Sequence, residues 1–238
     1  MKELLQEKGL WIASLICLIA MLIGFPFYKI ELPLTTGSFL NFYQTTLDTQ
    51  LLLFLIPIVA VLPVGAIYVR ESSSGFLKLY ITRISRMQYI KEKTLQIYAG
   101  GFLPFFLAGL FAKILCFLFL YPLELQGTIS LESMQTAFAH LLRISLIGGI
   151  MAEISGIFAA IFRNYYMAYG LPFVCYYMLI ILKERYLPDM YTMYPGEWIA
   201  VKQHWGTQGT GIWIFLVVFS LVVMLLNGLL LYTRLQEI

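Results

Sequence analysis

Charge is scarce in this chain: Asp, Glu, Lys and Arg together make up 12% of its 238 residues, about half the share of a soluble domain. That scarcity excludes a water-exposed globular surface. Cysteine and histidine are also rare, with three and two copies. Cys17, Cys116 and Cys175 all fall in apolar runs, where a thiol behaves as a small apolar group. No disulfide framework follows, and no Cys/His pair has the spacing of metal ligands. There is no Gly-x-x-x-x-Gly-Lys-Ser/Thr loop, so ATP phosphates are not held by that route. The formal net charge of +3 is too small to point to nucleic acid. The halves of the chain show no sequence repeat, which leaves inverted-repeat transporter folds without support.

What fills the chain is apolar: hydrophobic residues make up 60% and the mean hydropathy is +0.81. A membrane span needs about 20 such residues. Six can be cut, at 10–28, 51–69, 95–121, 137–161, 165–182 and 210–232, leaving short connections. The expected fold class is therefore an all-α integral membrane protein with six transmembrane helices, and residues 1–238 form one membrane domain. Lys2, Lys8, Arg70, Lys78, Arg83, Arg86, Lys91, Lys93, Arg163 and Arg234 fall on one side, against Lys29, Lys183, Arg185 and Lys202 on the other. The positive-inside rule then makes both termini cytoplasmic. The start reads as an uncleaved first span, because no Ala-x-Ala-like site follows its apolar run. Residues 1–9 read as a short surface helix on the inner leaflet.

Prolines and glycines mark three spans as kink-prone: Pro57 and Pro63 in the second, Gly100, Gly101 and Pro104 in the third, Pro172 in the fifth. The outer connections at 29–50 and 122–136 carry no motif. The last outer segment, 183–209, combines turn signals with Tyr186, Tyr191, Tyr194, Trp198 and Trp205, which suits an interfacial aromatic belt.

Lys113, Arg143 and Glu153 are the ionisable residues inside spans, where charge is costly and functional by default. Lys113 and Arg143 lie about 12 and 9 Å from the outer span ends and can snorkel to the headgroups. Glu153, about 15 Å deep, sits near the midplane. It is a candidate for a substrate path or for an interhelical hydrogen bond. Arg143 and Glu153 are about 15 Å apart in height on one helix, so each needs a partner elsewhere. Glu153-Ile154-Ser155-Gly156 partly resembles an intramembrane serine protease motif, but the leading Gly is missing and His140 stands well above Ser155.

Segment 70–93 is the charged interruption in this apolar chain. Ser72, Ser73 and Ser74 offer cap hydroxyls for a following helix, and Phe76, Leu79 and Tyr80 recur at helical spacing. Ser85-Arg86-Met87-Gln88 fits a capping box at the start of the third span. The expected form is a short amphipathic helix parallel to the membrane, which anionic lipid alone could attract.

The order of residues adds to this. Glu71-x-x-x-Gly75, an apolar helix, then Arg83-Ile84-Ser85-Arg86-x-x-Tyr89-x-x-x-Lys93 resembles the signature between the second and third spans of type-2 ATP-binding-cassette (ABC) exporter permeases. The six-span layout, the turn at Arg163-Asn164 and the proline-containing last outer segment resemble the same family along nearly the whole chain. The resemblance is narrower still to small bacterial permeases for peptide export or lantibiotic immunity. It implies a non-enzymatic subunit in the bacterial plasma membrane, without its own ATPase, that pairs with a second permease copy or a related permease. ATP and Mg would be bound by a separate ABC ATP-binding subunit. The resemblance further implies that the helix after the second span is a coupling helix on that subunit. Carried over, Glu71, Gly75, Phe76, Leu79, Tyr80 and Arg83 make the main contact, and Arg163 and Asn164 a minor one. Glu153, Arg143 and Lys113 are the substrate-path candidates, for hydrophobic or amphipathic substrates, peptides foremost. The alternative function is a non-catalytic membrane sensor or immunity module that binds and sequesters a peptide.

Overall fold

The computed structural model describes residues 4, 6–25, 33–75, 77, 83–125, 130–206 and 209–237. Among these the protein is helical, with one isolated parallel bridge between Leu34 and Glu124. The helices are α1 (Lys8–Ile23), α2 (Ser38–Leu47), α3 (Gln50–Val59), α4 (Ile67–Ser73), α5 (Arg86–Leu120), α6 (Leu131–Phe162), α7 (Tyr165–Arg185), α8 (Pro195–Ala200) and α9 (Thr210–Gln236). Four of them, α5, α6, α7 and α9, are long and apolar enough to cross a membrane, and a fifth crossing results if α2 and α3, bent by 51° at their junction, are one broken span.

Local sequence explains where the long helices begin and end. Ser85 caps α5 by accepting from Gln88 N at 3.3 Å, Ser130 caps α6 by accepting from Ser133 N at 3.2 Å, and Asn164 caps α7 by accepting from Tyr166 N at 2.8 Å. Only half of the expected capping box forms at Ser85, because the Gln88 side chain donates forward to Glu92 at 3.1 Å instead of reaching back. α6 stops where Arg163 takes a left-handed conformation, φ 51°. Pro104 and Pro172 leave α5 and α7 unbroken. The second expected span is different: between Val59 and Ile67 the chain passes through turns at 60–66, and Pro63 lies within them. Pro57, two residues before the end of α3, removes a backbone donor there.

Two connections differ from the sequence reading. The 29–50 connection contains α2, whose buried Phe39, Leu40, Tyr43, Thr46 and Leu47 face the core. Its N-terminus is held by Glu124, whose carboxylate accepts from Gly37 N at 2.9 Å and also from Phe39 N. The 183–209 segment contains α8 and places Trp198 and Trp205 in the core, not in an interfacial belt. Trp198 donates to Thr192 O at 2.7 Å, and Glu197 accepts from Gln203 N at 2.6 Å.

α6 is the central helix: 72% of its most apolar window is buried, against 17% for α7. It meets α5 most closely at Gly101 and Gly148, where a Cβ on Gly101 would come within 2.4 Å of Ala152 Cβ and one on Gly148 within 2.5 Å of Gly101 O. Small residues let two membrane helices approach to backbone contact. α1 lies alongside residues 49–70 in the opposite direction: Gly24 packs on Thr49, Gly9 on Pro63, and Glu7 pairs with Arg70 at 2.9 Å. One end of the bundle is basic. There Tyr68, Leu77, Tyr89, Ile90, Ala160, Leu231 and Leu235 form a second apolar cluster, separate from the main core.

Candidate functional site

The basic end brings together several residues that the sequence singled out. The hydroxyls of Ser72, Ser73 and Ser74 donate to the carbonyls of Val69, Arg70 and Glu71, at 3.1, 3.2 and 3.1 Å. They therefore close the end of α4, where the sequence reading had them opening the next helix. Gly75 follows with φ 71°. A residue with a Cβ is strained in that left-handed conformation, and glycine commonly ends a helix this way.

Glu71 points inward from this turn. Its Oε1 accepts from Lys93 Nζ at 2.5 Å and its Oε2 from Tyr89 OH at 2.7 Å. Lys93 also donates to Gln96 at 3.2 Å and lies 5.8 Å from the Tyr89 ring centre. Both charged side chains are nearly buried, at 13% and 12% exposure. An exposed ion pair contributes about 0–1 kcal/mol, whereas removing one partner of a buried pair costs about 3–5 kcal/mol. This pair lies toward the second case. It latches the end of α4 to the first turns of α5 and so fixes the two ends of the segment between them relative to each other.

Phe76, Leu79 and Tyr80 lie outside the described residues, and with them the amphipathic face of the expected coupling helix. Leu77, between them, is buried in the basic-end cluster. Arg83 is exposed. Gly75 and Arg163 line one cleft of about 310 Å³ with Tyr68, Val69, Ser72, Ser73 and Leu77. The two regions assigned to partner contact, 90 residues apart in sequence, thus share one surface of the molecule. Arg163 itself is engaged by the Glu237 carboxylate. Arg234 completes this clamp by donating to Ala160 O at 3.0 Å, Ile161 O at 2.9 Å and Glu237 at 3.0 Å. The Arg234 hydrogen bond, followed by the charges of Arg234 and Arg163, holds the exposed Glu237 carboxyl below its ordinary value.

The three ionisable residues of the spans do not converge. Arg143 donates to Ile199 O at 3.2 Å and lies 5.9 Å from the Trp213 ring, tying α6 to the end of α8. Lys113 is half-buried on α5, with no ion pair among the described residues. Glu153 is fully buried and accepts from Asn227 Nδ2 of α9 at 2.7 Å. Among the described residues its Oε1 and the Asn227 Oδ1 have no hydrogen-bond partner, which leaves two acceptors with no donor there. Gly156 makes room for this pair, since a Cβ there would lie 2.6 Å from Asn227 Nδ2. Asn227 was not singled out from the sequence, although a lone amide in the run Val222–Leu230 was the available signal.

Next to this pair, Tyr98 OH lies 3.2 Å from Ser220 Oγ, and Tyr98 begins a stack along α5 through Phe102 to Phe106, with ring centres 6.5 and 5.5 Å apart. This half-buried aromatic ladder suits an apolar or amphipathic guest better than a hydrophilic one. Ser155 donates to Ala168 O at 2.6 Å. It stands fifteen residues, or about 22 Å, from His140 along α6, far outside the reach of a nucleophile and its base. His140 Nε2 instead faces Asp48 Oδ1 at 3.2 Å, without hydrogen-bond alignment. No group of three or more His, Cys, Asp and Glu placed to hold a metal occurs among the described residues.

No protein-family model matches the chain, and no curated protein matches it.

Proposed function

We propose that the chain is the membrane-spanning permease subunit of an ABC exporter in a bacterial plasma membrane, moving hydrophobic or amphipathic substrates, peptides foremost, with ATP hydrolysed by a separate subunit. The observation that supports this reading is that Ser72, Ser73, Gly75 and Leu77 meet Arg163 around one basic-end cleft. A docking partner needs such a composite surface, and a helix resting on lipid does not.

The latch gives that surface a mechanical consequence. Glu71 belongs to α4 and Lys93 to α5, so a displacement of the segment between them is passed to both helices at once. In this reading Glu71 is a positioning residue that fixes the arm, while Arg83 and the apolar face of Phe76, Leu79 and Tyr80 meet the ATP-binding subunit. The antiparallel run of residues 49–70 beside α1 supports two further crossings besides α5, α6, α7 and α9. In this reading the crossings number six, two beyond the four helices long and apolar enough on their own, and the distribution of Lys and Arg supports cytoplasmic ends.

The test is co-expression with any ATP-binding subunit found encoded beside it, followed by purification and transport. The expected result is a stable complex whose substrate export stops when the partner's ATPase is inactivated. Protection against a peptide that survives an ATPase-dead partner would instead establish the sequestering sensor.

A further inference from the structure

Between the basic-end halves of α5 and α9 lies a groove of about 520 Å³, within the range of about 300–1,000 Å³ typical of small-molecule sites. We propose that it is a binding site for an anionic phospholipid, with an acyl chain lying in the groove and the phosphate on Lys91. The walls are Met87, Ile90 and Thr94 from α5 and Leu225, Gly228 and Leu229 from α9, and the groove reaches from Leu221 to Tyr232. Eleven residues of helix make that about 16 Å long.

The polarity of the groove is one-ended. The Thr94 hydroxyl is committed to the carbonyl of Ile90, so the α5 wall beyond Lys91 offers no free donor. Lys91 is exposed at the rim, and its ammonium has no ion-pair partner among the described residues. Tyr232 lies at the same end. A cation at the head of an apolar trough matches one charge on a phosphate followed by a hydrocarbon chain, and a basic residue near a membrane surface attracts anionic lipid by about 1 kcal/mol. Gly228 keeps the trough open: a Cβ there would reach Ile90 Cγ2 at 3.4 Å, ordinary contact, and any longer side chain would occupy the space the chain needs. A helix from a second copy is about 10–12 Å across and would have to bring a carboxylate to Lys91.

This inference stands whether or not an ATP-binding subunit docks. The test is native mass spectrometry of the full chain with phosphatidylglycerol and phosphatidylcholine of identical acyl chains. The wild type is expected to retain phosphatidylglycerol about fivefold better, the factor that corresponds to one such charge contact. Lys91→Gln should bring the two lipids to parity while keeping total lipid bound, and Gly228→Leu should remove most binding of both. Met224→Trp on the same wall is a second filling variant should Gly228→Leu fold poorly. Equal retention by the wild type, an unchanged preference in Lys91→Gln, or full binding in a folded filling variant would overturn the proposal. So would displacement of the lipid by glycerol phosphate alone, which would mark an anion site without a chain groove, or a crosslink from Leu225 to a second copy.

Discussion

Replacing Glu153 by alanine removes the acceptor of the Asn227 amide and leaves that amide buried among apolar groups. An orphaned buried donor costs about 1–3 kcal/mol, although hydrogen bonds between membrane helices average nearer 0.6 kcal/mol and reach about 1.7. The one lost methylene adds about 0.8 kcal/mol. The expected destabilisation is about 2–4 kcal/mol, which at about 2–4 °C per kcal/mol for a chain of this size lowers the melting temperature by about 4–16 °C. Glutamine at the same position is the informative comparison. Its carbonyl keeps the bond from Asn227 Nδ2, and its amide supplies a donor for Asn227 Oδ1, one of the two acceptors now without a partner. Glu153→Gln should therefore melt within about 2 °C of the wild type or above it. Thermal unfolding of the purified chain in detergent, followed by intrinsic tryptophan fluorescence, measures both. Two results would refute the reasoning: Glu153→Ala as stable as the wild type, or Glu153→Gln as unstable as Glu153→Ala. A Glu153→Gln variant that melts normally but no longer transports would assign the carboxylate to the substrate path.

Other consequences follow from the same geometry. Gly148→Leu should cost at least the 1–3 kcal/mol typical of overpacking, because even its Cβ would fall 2.5 Å from Gly101 O, whereas Gly170→Ala, with nothing within 4 Å, should be neutral; folded yield and melting temperature distinguish them. Glu237 titrates below its ordinary value, so its clamp on Arg234 and Arg163 is fully formed above the ordinary carboxylate range and is lost as pH falls through the lowered value. Hydrogen-exchange protection at the end of α9, taken relative to the intrinsic exchange rate at each pH, should fall on that acid side, and Glu237→Gln should abolish that pH-dependent loss. Lys93→Met should unpair the nearly buried Glu71 and loosen the α4–α5 elbow; the expected outcome is that partner ATPase activity persists while its stimulation by substrate falls.

Much of the fold could be read from the apolar runs, and the reasons for the exceptions are physical. Residues 95–121, 137–161, 165–182 and 210–232 became α5, α6, α7 and α9 because each run is long enough to satisfy its own backbone inside a membrane. The run at 51–69 is equally apolar but carries two prolines, and hydropathy does not register the donors they remove. α2 was legible in principle, since Phe39, Leu40, Tyr43 and Leu47 follow helical spacing. Its short length and the neighbouring Pro33 and Gly37 concealed it. The anchoring of α2 by Glu124, more than 80 residues away, has no local signal at all. Trp198 and Trp205 satisfy the composition of an interfacial belt, yet the hydrogen bonds from Trp198 to Thr192 and from Trp205 to Glu197 allow both rings into the core. At the basic end the sequence placed Glu71, Gly75 and Arg163 in partner contact. It could not show that Glu71 faces Lys93, because the pairing depends on where α4 stops.

The central claim is that segment 70–83 docks an ATP-binding subunit, and crosslinking from Arg83→Cys tests it most directly. Position 83 is exposed, while Cys17 and Cys116 are buried and can be left in place, with Cys175 replaced by serine. In native membranes containing the partner, the account predicts a crosslink from position 83 to the ATP-binding subunit, with none from a cysteine at the likewise exposed Tyr186 position on the opposite end. A position 83 that reacts only with lipid-soluble reagents, with or without the partner present, would contradict it.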